Sequence, residues 1–343
     1  MHEITIEEFI SQRESFDLVI DARSPSEFAE SHIPNALNFY ALSDTEHEEV
    51  GHMYKQISRV GAKVKGAQYI CNNVSTHLNT IYPAYPLSSK IAIYCARGGL
   101  RSESIGVILS NIGYRIYKIK NGYKAYRQNV VDFFEKFEHN NFIVLGGNTG
   151  CGKSEILPFL PRYIDLEKTA NHLGSAFGSI KGKQPSQKAF QNNLAEQLRN
   201  IKTDEPIFIE GESRRMGKIM LPSRLHEAMS RGFRIEIKAP LELRVKRIMK
   251  DYEKVDSAFF YTCIDLISTY IKKEAKESAI KAYESGDLEK VAEILLVDYY
   301  DVVYKKPKKI DLTIENISTK DTAKKLIQIY QDLSNTKPSG VSS

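Results

Sequence analysis

The stretch Phe142-Ile-Val-Leu-Gly-Gly-Asn-Thr-Gly-Cys-Gly-Lys-Ser154 joins a short apolar run to a glycine-rich loop. The loop matches the pattern G-x-x-x-x-G-K-[ST] with the residues Gly147, Asn148, Thr149, Gly150, Cys151, Gly152, Lys153 and Ser154. Between a strand and a helix, this pattern binds phosphate because its glycines let backbone N–H groups approach the phosphate oxygens. Lys153 is expected to neutralise the outer phosphate, and Ser154 to bind Mg²⁺ if that ion is present. Cys151 is assigned no chemistry beyond fitting the loop.

The apolar runs after this loop are spaced like the strands of a parallel sheet. Strands are predicted at residues 163–166, 206–210, 233–237 and 311–314, with helical stretches between them and an almost entirely helical section from 241 to 304. Strands that alternate with helices indicate a parallel sheet covered on both faces. Glu210 and Glu212 end the second of these strands, where a metal-associated acid would lie. These residues alone do not decide whether the protein requires Mg²⁺ or ATP.

A cysteine stands at a strand end in the first half of the chain. Cys95 follows the apolar run Lys90-Ile-Ala-Ile-Tyr94 and opens the segment Cys-Ala-Arg-Gly-Gly-Leu-Arg-Ser ahead of a predicted helix. Glycine-bearing backbone, a helix N-terminus and two arginines together favour an anion, and they favour the nucleophilic thiolate of the cysteine. The residues expected to cradle a chalcogen anion or a phosphate are Arg97, Gly98, Gly99 and Arg101. We therefore predict that Cys95 is catalytic.

The chain is predicted to hold two domains and a tail. Short apolar runs at 17–21 and 114–119 complete the strands of the first half, and a long polar stretch from 41 to 89, helical in parts, separates two of its strands. A connection of that length is usually functional or specific to a family. The predicted boundaries are an N-terminal α/β domain at 1–128, a helical linker at 129–140, a P-loop domain at 141–335 and a disordered tail at 336–343.

The composition is that of an ordinary globular protein and excludes several classes. Of the 343 residues, 42% are hydrophobic and 27% charged, which argues against a largely disordered chain. No run approaches the roughly 18 apolar residues of a membrane span, and the acidic N-terminal stretch is unlike an export signal. Four cysteines without a CxxC pair favour neither a zinc site nor a disulfide framework. We expect a cytoplasmic protein with no membrane partner, no metal site and no tightly bound cofactor.

The positive charge is concentrated in two segments. Residues 212–254 carry 12 Lys and Arg against 6 Asp and Glu, and residues 115–127 carry 5 basic and no acidic residues among three tyrosines. Basic side chains among aromatic ones suit phosphate contacts and base stacking on single-stranded nucleic acid, although an ordinary solvated surface has the same composition. The residues predicted to contact nucleic acid are Lys118, Lys120, Lys124, Arg127, Arg214, Arg215, Arg244 and Arg247.

The motifs of the first half resemble a rhodanese domain in order and spacing. They are Asp21-Ala-Arg-Ser-Pro-Ser-Glu-Phe28, Ser31-His-Ile-Pro-Asn-Ala36, the loop that begins at Cys95, and Asn121-Gly-Tyr-Lys-Ala-Tyr-Arg127. Rhodanese-like domains carry sulfur or selenium on the loop cysteine. The spacing from Cys95 to Arg101 also fits the Cys-x5-Arg pattern of cysteine-dependent phosphatases, some of which share this fold, and Tyr94 stands where those phosphatases have His.

The chain as a whole resembles the tRNA 2-selenouridine synthases. The resemblance rests on a rhodanese domain followed by a P-loop domain, and on the segments 48–56 and 165–178. The resemblance runs from about residue 5 to 330. It implies a rhodanese-like domain followed by a P-loop NTPase-like, kinase-like parallel-sheet domain. One departure is Ala96, because the family often has Trp after the loop cysteine and this chain has no Trp. The departure puts in doubt a stacking role at that position, not the role of the cysteine.

The resemblance implies an activity on the wobble uridine of tRNAs for Lys, Glu and Gln. The sulfur of 2-thiouridine would first be geranylated from geranyl diphosphate. Selenium from selenophosphate, supplied by a selenophosphate synthetase and presented as a perselenide on Cys95, would then displace the geranylthio group. We infer that residues 147–154 hold the diphosphate, although a nucleotide in that loop stays open.

Two alternatives stay open on the sequence. One is a sulfurtransferase or cysteine phosphatase fused to an ATP-dependent kinase-like module that acts on a small molecule. The other is a non-catalytic tRNA-binding or sulfur-relay partner. A requirement for tRNA separates the first from the main hypothesis, and loss of activity on changing Cys95 separates the second.

Overall fold

The computed structural model describes residues 1–174, 177–201, 205–252, 256–304, 307 and 309–335, apart from the side chains of residues 179, 181, 251 and 252. The predicted disordered tail at 336–343 lies outside the described residues. The chain divides into two compact units, one of residues 1–135 with 188–196, the other of residues 136–187 with the stretch from Gln197 onward. Residues 129–135 of the predicted linker belong to the first unit, as the last turns of a helix.

The first unit is built on a parallel five-stranded sheet. Its strands are β1 (His2–Ile4), β2 (Leu18–Asp21), β3 (Leu37–Asn38), β4 (Lys90–Tyr94) and β5 (Arg115–Ile119). Their order is β1-β5-β4-β2-β3, with every pair parallel. The helices are α1 (Ile6–Ser11), α2 (Pro25–Glu30), α3 (Asp44–His52), α4 (Arg59–Ala84), α5 (Leu100–Asn111) and α6 (Gly122–Glu135). Strands β2 and β4 lie inside the sheet and are buried almost throughout, as their continuous apolar sequence predicts.

The long polar stretch between β3 and β4 forms helices. Helix α3 leads through a π-helical turn, Met53–Ile57, into α4. The buried positions of α4 recur at helical spacing and place one face of the helix against the core: Ala62, Gly66, Ile70, Val74 and Ile81. The helical content predicted for this stretch is therefore confirmed.

The motif that begins at Asp21 holds the sheet edge beside the cysteine loop. Asp21 and Arg23 form a buried ion pair, in which Arg23 Nη2 lies 2.5 Å from Asp21 Oδ2. The same guanidinium donates to Ser31 O (2.7 Å) and lies over the Tyr123 ring at 3.9 Å. Removing one partner of such a pair leaves an uncompensated buried charge, so this part of the motif is structural.

The second unit contains another parallel five-stranded sheet. Its strands are β6 (Phe142–Gly146), β7 (Tyr163–Ile164), β8 (Ile207–Glu210), β11 (Phe233–Lys238) and β12 (Leu312–Glu315), in the order β12-β11-β6-β8-β7. A separate antiparallel pair joins β9 (Arg215–Met216) to β10 (Ile219–Met220). The helices that follow β6 along the chain are α7 (Lys153–Ile156), α8 (Leu166–Ala170), α9 (Gln187–Arg199), α10 (Ser223–Arg231), α11 (Leu241–Tyr252), α12 (Ser257–Ile267), α13 (Lys273–Glu284), α14 (Leu288–Leu295), α15 (Asp301–Val303) and α16 (Thr319–Asn335). Residues 188–196 of α9 belong to the first unit.

The predicted fold class is confirmed, and each predicted strand is present within two residues of its expected ends. The sequence analysis missed β1 and β3, which have three and two residues, and the short pair β9–β10. Strands this short carry too little alternation to be seen as a pattern. The section from 241 to 304 is helical wherever the structure describes it, apart from short connections.

Within the described residues, the structure has no helix that is both long and apolar enough to cross a bilayer.

We expect Gly122→Ala to lower the free energy of unfolding by at least about 2 kcal/mol. Gly122 has φ +53°, where an L residue pays roughly 1–2 kcal/mol, and a Cβ there would lie 2.1 Å from the Cys95 carbonyl oxygen. Urea denaturation of the full chain, followed by circular dichroism, measures the change. Gly51→Ala is the control, because Gly51 lies in helix α3 with open space around it and alanine favours helices by about 0.5–1 kcal/mol. Equal effects of the two substitutions would contradict the tight packing at Gly122.

Candidate functional site

The thiol of Cys95 lies at the carboxyl end of β4 with two donors directed at it. Its Sγ accepts hydrogen bonds from the backbone N–H of Gly99 and from the hydroxyl of Ser102, both at 3.2 Å. The side chain is buried, and the loop after it leads straight into α5. Donors arranged in this way favour the binding of an anion at the same place.

The carbonyl groups of this loop are held by the start of helix α6. Backbone N–H groups of Tyr123 and Lys124 donate to the carbonyl oxygens of Cys95 (2.8 Å) and Ala96 (3.0 Å). Gly98 has φ +66°, and a Cβ there would lie 3.0 Å from the backbone nitrogen of Asn121. The motif from Asn121 to Arg127 therefore fixes the loop through its backbone, which explains why a glycine follows Asn121.

The two arginines of the loop differ in their surroundings. Arg97 is exposed, whereas Arg101 pairs with Glu27, with Nη1 2.5 Å from Oε2. Burial alone would raise the pKa of Glu27, but the hydrogen bond and charge of Arg101 lower it below its usual value. Part of the Arg101 charge is thus already balanced by a carboxylate, so Arg97 is the arginine more available to an incoming anion.

The P-loop is present in the second unit, between β6 and α7. Three of its glycines adopt positive φ: Gly147 (+141°), Gly150 (+79°) and Gly152 (+93°). Lys153 Nζ donates to the carbonyl oxygen of Gly147 at 2.9 Å. Burial lowers the pKa of Lys153, but the Cys151 thiol and neighbouring glutamates outweigh it, so the pKa is raised and the side chain stays charged.

An acidic group faces the serine of the P-loop. Ser154 Oγ lies 2.9 Å from Glu210 Oε1 and 3.1 Å from Glu167 Oε2, and Glu210 also accepts from the backbone N–H of Glu167 (3.0 Å). Burial and the charge of Glu212 raise the pKa of Glu167 to about 7. Burial and Glu167 raise the pKa of Glu210 well above its usual range. The crowded carboxyl groups therefore tend to retain protons near neutral pH.

Helix α11 holds the P-loop from one side. Arg244 Nε donates to the Thr149 carbonyl oxygen (2.9 Å), and Arg247 Nη1 donates to that of Cys151 (3.0 Å). The buried Asn316, which follows β12, donates to the same Cys151 oxygen at 2.8 Å. Arg244 and Arg247, predicted above to contact nucleic acid, are therefore placed against the P-loop backbone, and we reassign them to shaping that loop.

The segment around α15 holds the P-loop from another side. Asp301 accepts from both Arg244 and Asn148, at 2.7–2.8 Å. The Tyr304 hydroxyl accepts from the Gly147 N–H at 3.1 Å and lies 3.2 Å from both Glu236 oxygens. Burial and Glu236 raise the pKa of Tyr304 to about 12, so the phenol stays neutral and can donate to the carboxylate.

The other basic residues predicted to contact nucleic acid fall into two sets. Lys118 is buried and pairs with Glu3 and Glu103, and Arg127 donates to Gln191 and Asn192. Because Lys118 and Arg127 already bind these partners, we assign them to stabilising the first unit and not to contacting nucleic acid. Exposed side chains remain at Lys120, Lys124, Arg214 and Arg215.

Several site residues escaped the sequence analysis. Asn316, Asp301 and Tyr304 lie 150 or more residues from the P-loop that they contact. No pattern marks such residues, because the fold alone brings them to the loop. Glu167 lies in the segment 165–178 that was singled out as a motif, but its contact with Ser154 was not predicted.

Among the described residues, no group of three or more His, Cys, Asp and Glu side chains is arranged to hold a metal ion.

Comparison with known families agrees with this division of the chain. Residues 5–129 match the family model "Rhodanese-like domain", and residues 140–265 match "tRNA 2-selenouridine synthase AAA domain". The N-terminal domain of a putative ATP/GTP binding protein from Clostridium difficile 630 is similar in structure to part of the chain, with 36% identity and a TM-score of 0.33. That similarity covers 37% of this chain and 98% of the other.

Three relatives illustrate the match, and all three are named tRNA 2-selenouridine synthase. A tRNA 2-selenouridine synthase of Hydrogenovibrio crunogenus is 31% identical over 88% of this chain and 94% of its own length. Those of Psychromonas ingrahamii and Pseudomonas syringae pv. tomato are 32% and 36% identical over 68% of this chain, and the match spans 64% and 65% of their lengths. Because both halves are matched in order and one relative aligns over nearly all its length, the chain belongs to the tRNA 2-selenouridine synthase family.

Proposed function

We propose that this protein converts 2-thiouridine at the wobble position of tRNA into 2-selenouridine. One observation carries the proposal: this single chain contains two loops suited to anions. The cysteine loop has donors directed at the sulfur, and the P-loop has a charged lysine. The conversion needs two different chemical centres, one for the chalcogen and one for a phosphorylated donor. The substrate tRNAs are those for Lys, Glu and Gln.

The first step is S-alkylation at the P-loop. The 2-thio sulfur attacks C1 of geranyl diphosphate, the C–S bond forms, and diphosphate leaves with the electron pair of the broken C–O bond. The N3 proton of the uridine passes to solvent. Lys153 and the loop N–H groups supply positive charge where the leaving group develops negative charge. Alkylation turns the sulfur into a better leaving group for the step that follows.

The second step exchanges sulfur for selenium at C2 of the uridine. A selenium nucleophile forms the Se–C bond, and geranylthiolate leaves with the electrons of the C–S bond. Selenophosphate, delivered by a selenophosphate synthetase, is the selenium source, and hydrolysis of its Se–P bond releases phosphate and selenide. A disulfide, reduced to two thiols, is the two-electron oxidant that joins this selenium to Cys95, which presents it as a perselenide. After the attack on C2, the two thiols reduce the S–Se bond to Cys95 and become the disulfide again. The exposed Arg97 and the N–H of Gly99 are placed to stabilise the anion.

Ser154 and the carboxyl groups beside it offer only hard oxygen donors, which fits Mg²⁺. Ser154 and Glu210 would hold that ion next to the diphosphate. When bound, the ion would neutralise phosphate charge. Burial and the neighbouring carboxyl charges raise the pKa of Glu167 and Glu210, and a divalent cation would offset that repulsion.

Mass spectrometry of nucleosides tests the proposal. Thiolated tRNA is incubated with the protein, geranyl diphosphate and selenophosphate, and S-geranyl-2-thiouridine followed by 2-selenouridine is expected. Absence of both products, with ATP hydrolysis in the presence of a small-molecule acceptor, would favour the kinase-like alternative instead.

We expect Cys95→Ser to abolish selenation while geranylation continues, because only the second step needs a chalcogen carrier. S-geranyl-2-thiouridine should accumulate in the tRNA and is measured by the same nucleoside analysis. Cys71→Ser is the matched control, since Cys71 is an exposed free cysteine. An unchanged yield of 2-selenouridine in Cys95→Ser would remove Cys95 from the mechanism.

Lys153→Ala is expected to have the opposite effect. Loss of one preorganised electrostatic donor costs about 3–4 kcal/mol in the transition state, so geranyl transfer should fall by two to three orders of magnitude, roughly. A tRNA that is already geranylated should still be selenated. Lys246→Ala, an exposed lysine on α11, serves as the control. If ATP hydrolysis is lost but geranylation survives, the loop binds a nucleotide and not the geranyl donor.

Binding of tRNA should weaken steeply with salt, and Lys124→Ala or Arg214→Ala should reduce the log–log slope by about one unit each. Both side chains are exposed, so their removal costs phosphate contacts without disturbing the core. Filter-binding titrations at several salt concentrations measure the slope. Lys273→Ala, a similarly exposed lysine on α13, should leave it unchanged. Two unchanged slopes at Lys124 and Arg214 would remove these surfaces from the tRNA path.

A further inference from the structure

Helix α9 contributes to the first unit although it lies between β7 and β8 in the sequence, and both of those strands belong to the second sheet. Its residues 188–196 fall in the same compact unit as the cysteine loop. Two ion pairs join this part of the helix to the rest of the first unit, Lys188 with Glu30 (2.8 Å) and Glu196 with Arg13 (3.6 Å). Between these ion pairs along the helix lies the fully buried Asn192.

Asn192 forms hydrogen bonds through both ends of its side-chain amide. The nitrogen donates to the Tyr123 hydroxyl (2.9 Å) and to the His32 carbonyl oxygen (2.8 Å), and the oxygen accepts from Arg127. These bonds fix the orientation of the amide, because turning it over would set its N–H groups against those of Arg127. Asn192 therefore holds the Tyr123 hydroxyl in one place.

Tyr123 connects Asn192 to the cysteine loop. Its hydroxyl donates to Ser31 Oγ (2.7 Å), and the Arg23 guanidinium lies over its ring at 3.9 Å. Its backbone N–H donates to the carbonyl oxygen of Cys95 at 2.8 Å. This N–H is in the first turn of α6, where backbone N–H groups have no partner within the helix and are available to the loop. A side chain held at its hydroxyl and its ring thus fixes the group that anchors the loop.

The anchored carbonyl belongs to the residue that carries the reacting sulfur. A shift of the Cys95 backbone would move Sγ relative to its two donors, the Gly99 N–H and the Ser102 hydroxyl, which both lie at 3.2 Å. Reaction rates fall steeply when reacting groups are misplaced by about 1 Å. The position of Tyr123 therefore bears directly on the chemistry of Cys95.

We propose that Asn192 is a positioning residue for the Cys95 loop and acts through the Tyr123 hydroxyl. The cysteine site is then complete only with α9 in place. The inference rests on the proposed function for the step that it serves, the transfer of selenium from Cys95 to tRNA. Asn192 is buried and bonds to Tyr123, His32 and Arg127, so its effect reaches the sulfur through the loop and not by contact with the substrate.

Amide hydrogen exchange of the full chain measures the anchoring. Mass spectrometry of peptides that cover residues 121–127 follows the N–H groups of Tyr123 and Lys124, which donate to the loop carbonyl groups. In Asn192→Leu and in Tyr123→Phe these N–H groups should exchange roughly fivefold faster or more, the factor that one lost hydrogen bond provides. Asn193→Leu, an exposed asparagine next to Asn192 on α9, is the matched control. Unchanged exchange in both variants would overturn the inference.

Selenation of a tRNA that is already geranylated tests the consequence for the reaction. Each single variant should lower kcat about tenfold or more, with KM for the tRNA within about twofold, because the reacting groups are misplaced while the tRNA surface is unaltered. Geranylation should stay within about twofold, so a general loss of folded protein would be recognised. Should Asn192→Leu not fold, Tyr123→Phe decides alone, since it removes only a hydroxyl.

A double variant distinguishes positioning from packing. Asn192→Leu combined with Tyr123→Phe should lower kcat no further than the more damaging single variant does, because both remove the same contact. Losses that multiply would show that Asn192 acts independently of the Tyr123 hydroxyl, and would overturn the inference.

The outcomes also separate this inference from the proposed function. Faster amide exchange in both variants of a protein that transfers no selenium to tRNA would contradict the proposed reaction and leave the loop-positioning role assigned. Selenation that neither variant alters would support the reaction and overturn Asn192 as its positioning residue.

Discussion

In two loops, the backbone carbonyl groups accept hydrogen bonds from donors elsewhere in the chain, and this constraint shapes both candidate sites. In the P-loop, Lys153, Arg244 and Arg247 donate to carbonyl oxygens of the loop. In the cysteine loop, the first N–H groups of α6 donate to the carbonyl oxygens of Cys95 and Ala96. A loop anchored through its carbonyl groups can present N–H groups on its other side, which is the arrangement that binds anions.

Positively and negatively charged side chains lie close together around the P-loop. Positive charge comes from Lys153 and the arginines of α11, while Glu167, Glu210 and Glu212 lie on the serine side. Burial, together with the charge of Glu212, raises the pKa of Glu167 to about 7, so this carboxyl group is partly protonated near neutral pH. A site of this kind accepts a phosphate ligand more readily when a proton or a cation accompanies it.

Basic residues in this chain serve two physical purposes that composition cannot separate. The two positive segments contain Lys124 and Arg214, whose side chains are exposed. The same segments contain four cations that bind carbonyl, amide or carboxylate partners within the protein: Arg244, Arg247, Lys118 and Arg127. A guanidinium suits that structural use because its planar donors reach several acceptors at once. The exposed positive surface is therefore smaller than the count of Lys and Arg in these segments indicates.

The sequence by itself determined the class of both sheets, the P-loop, the position of Cys95 at a strand end and the family, because each depends on residues that are close along the chain. Apolar runs predicted the strands, and glycine spacing predicted the loops. Only the tertiary structure decided which side chains hold those loops, since Asn316, Asp301 and Tyr304 reach the P-loop across 150 or more residues. It also decided which cations are exposed, because burial results from the packing of distant segments and leaves no local pattern.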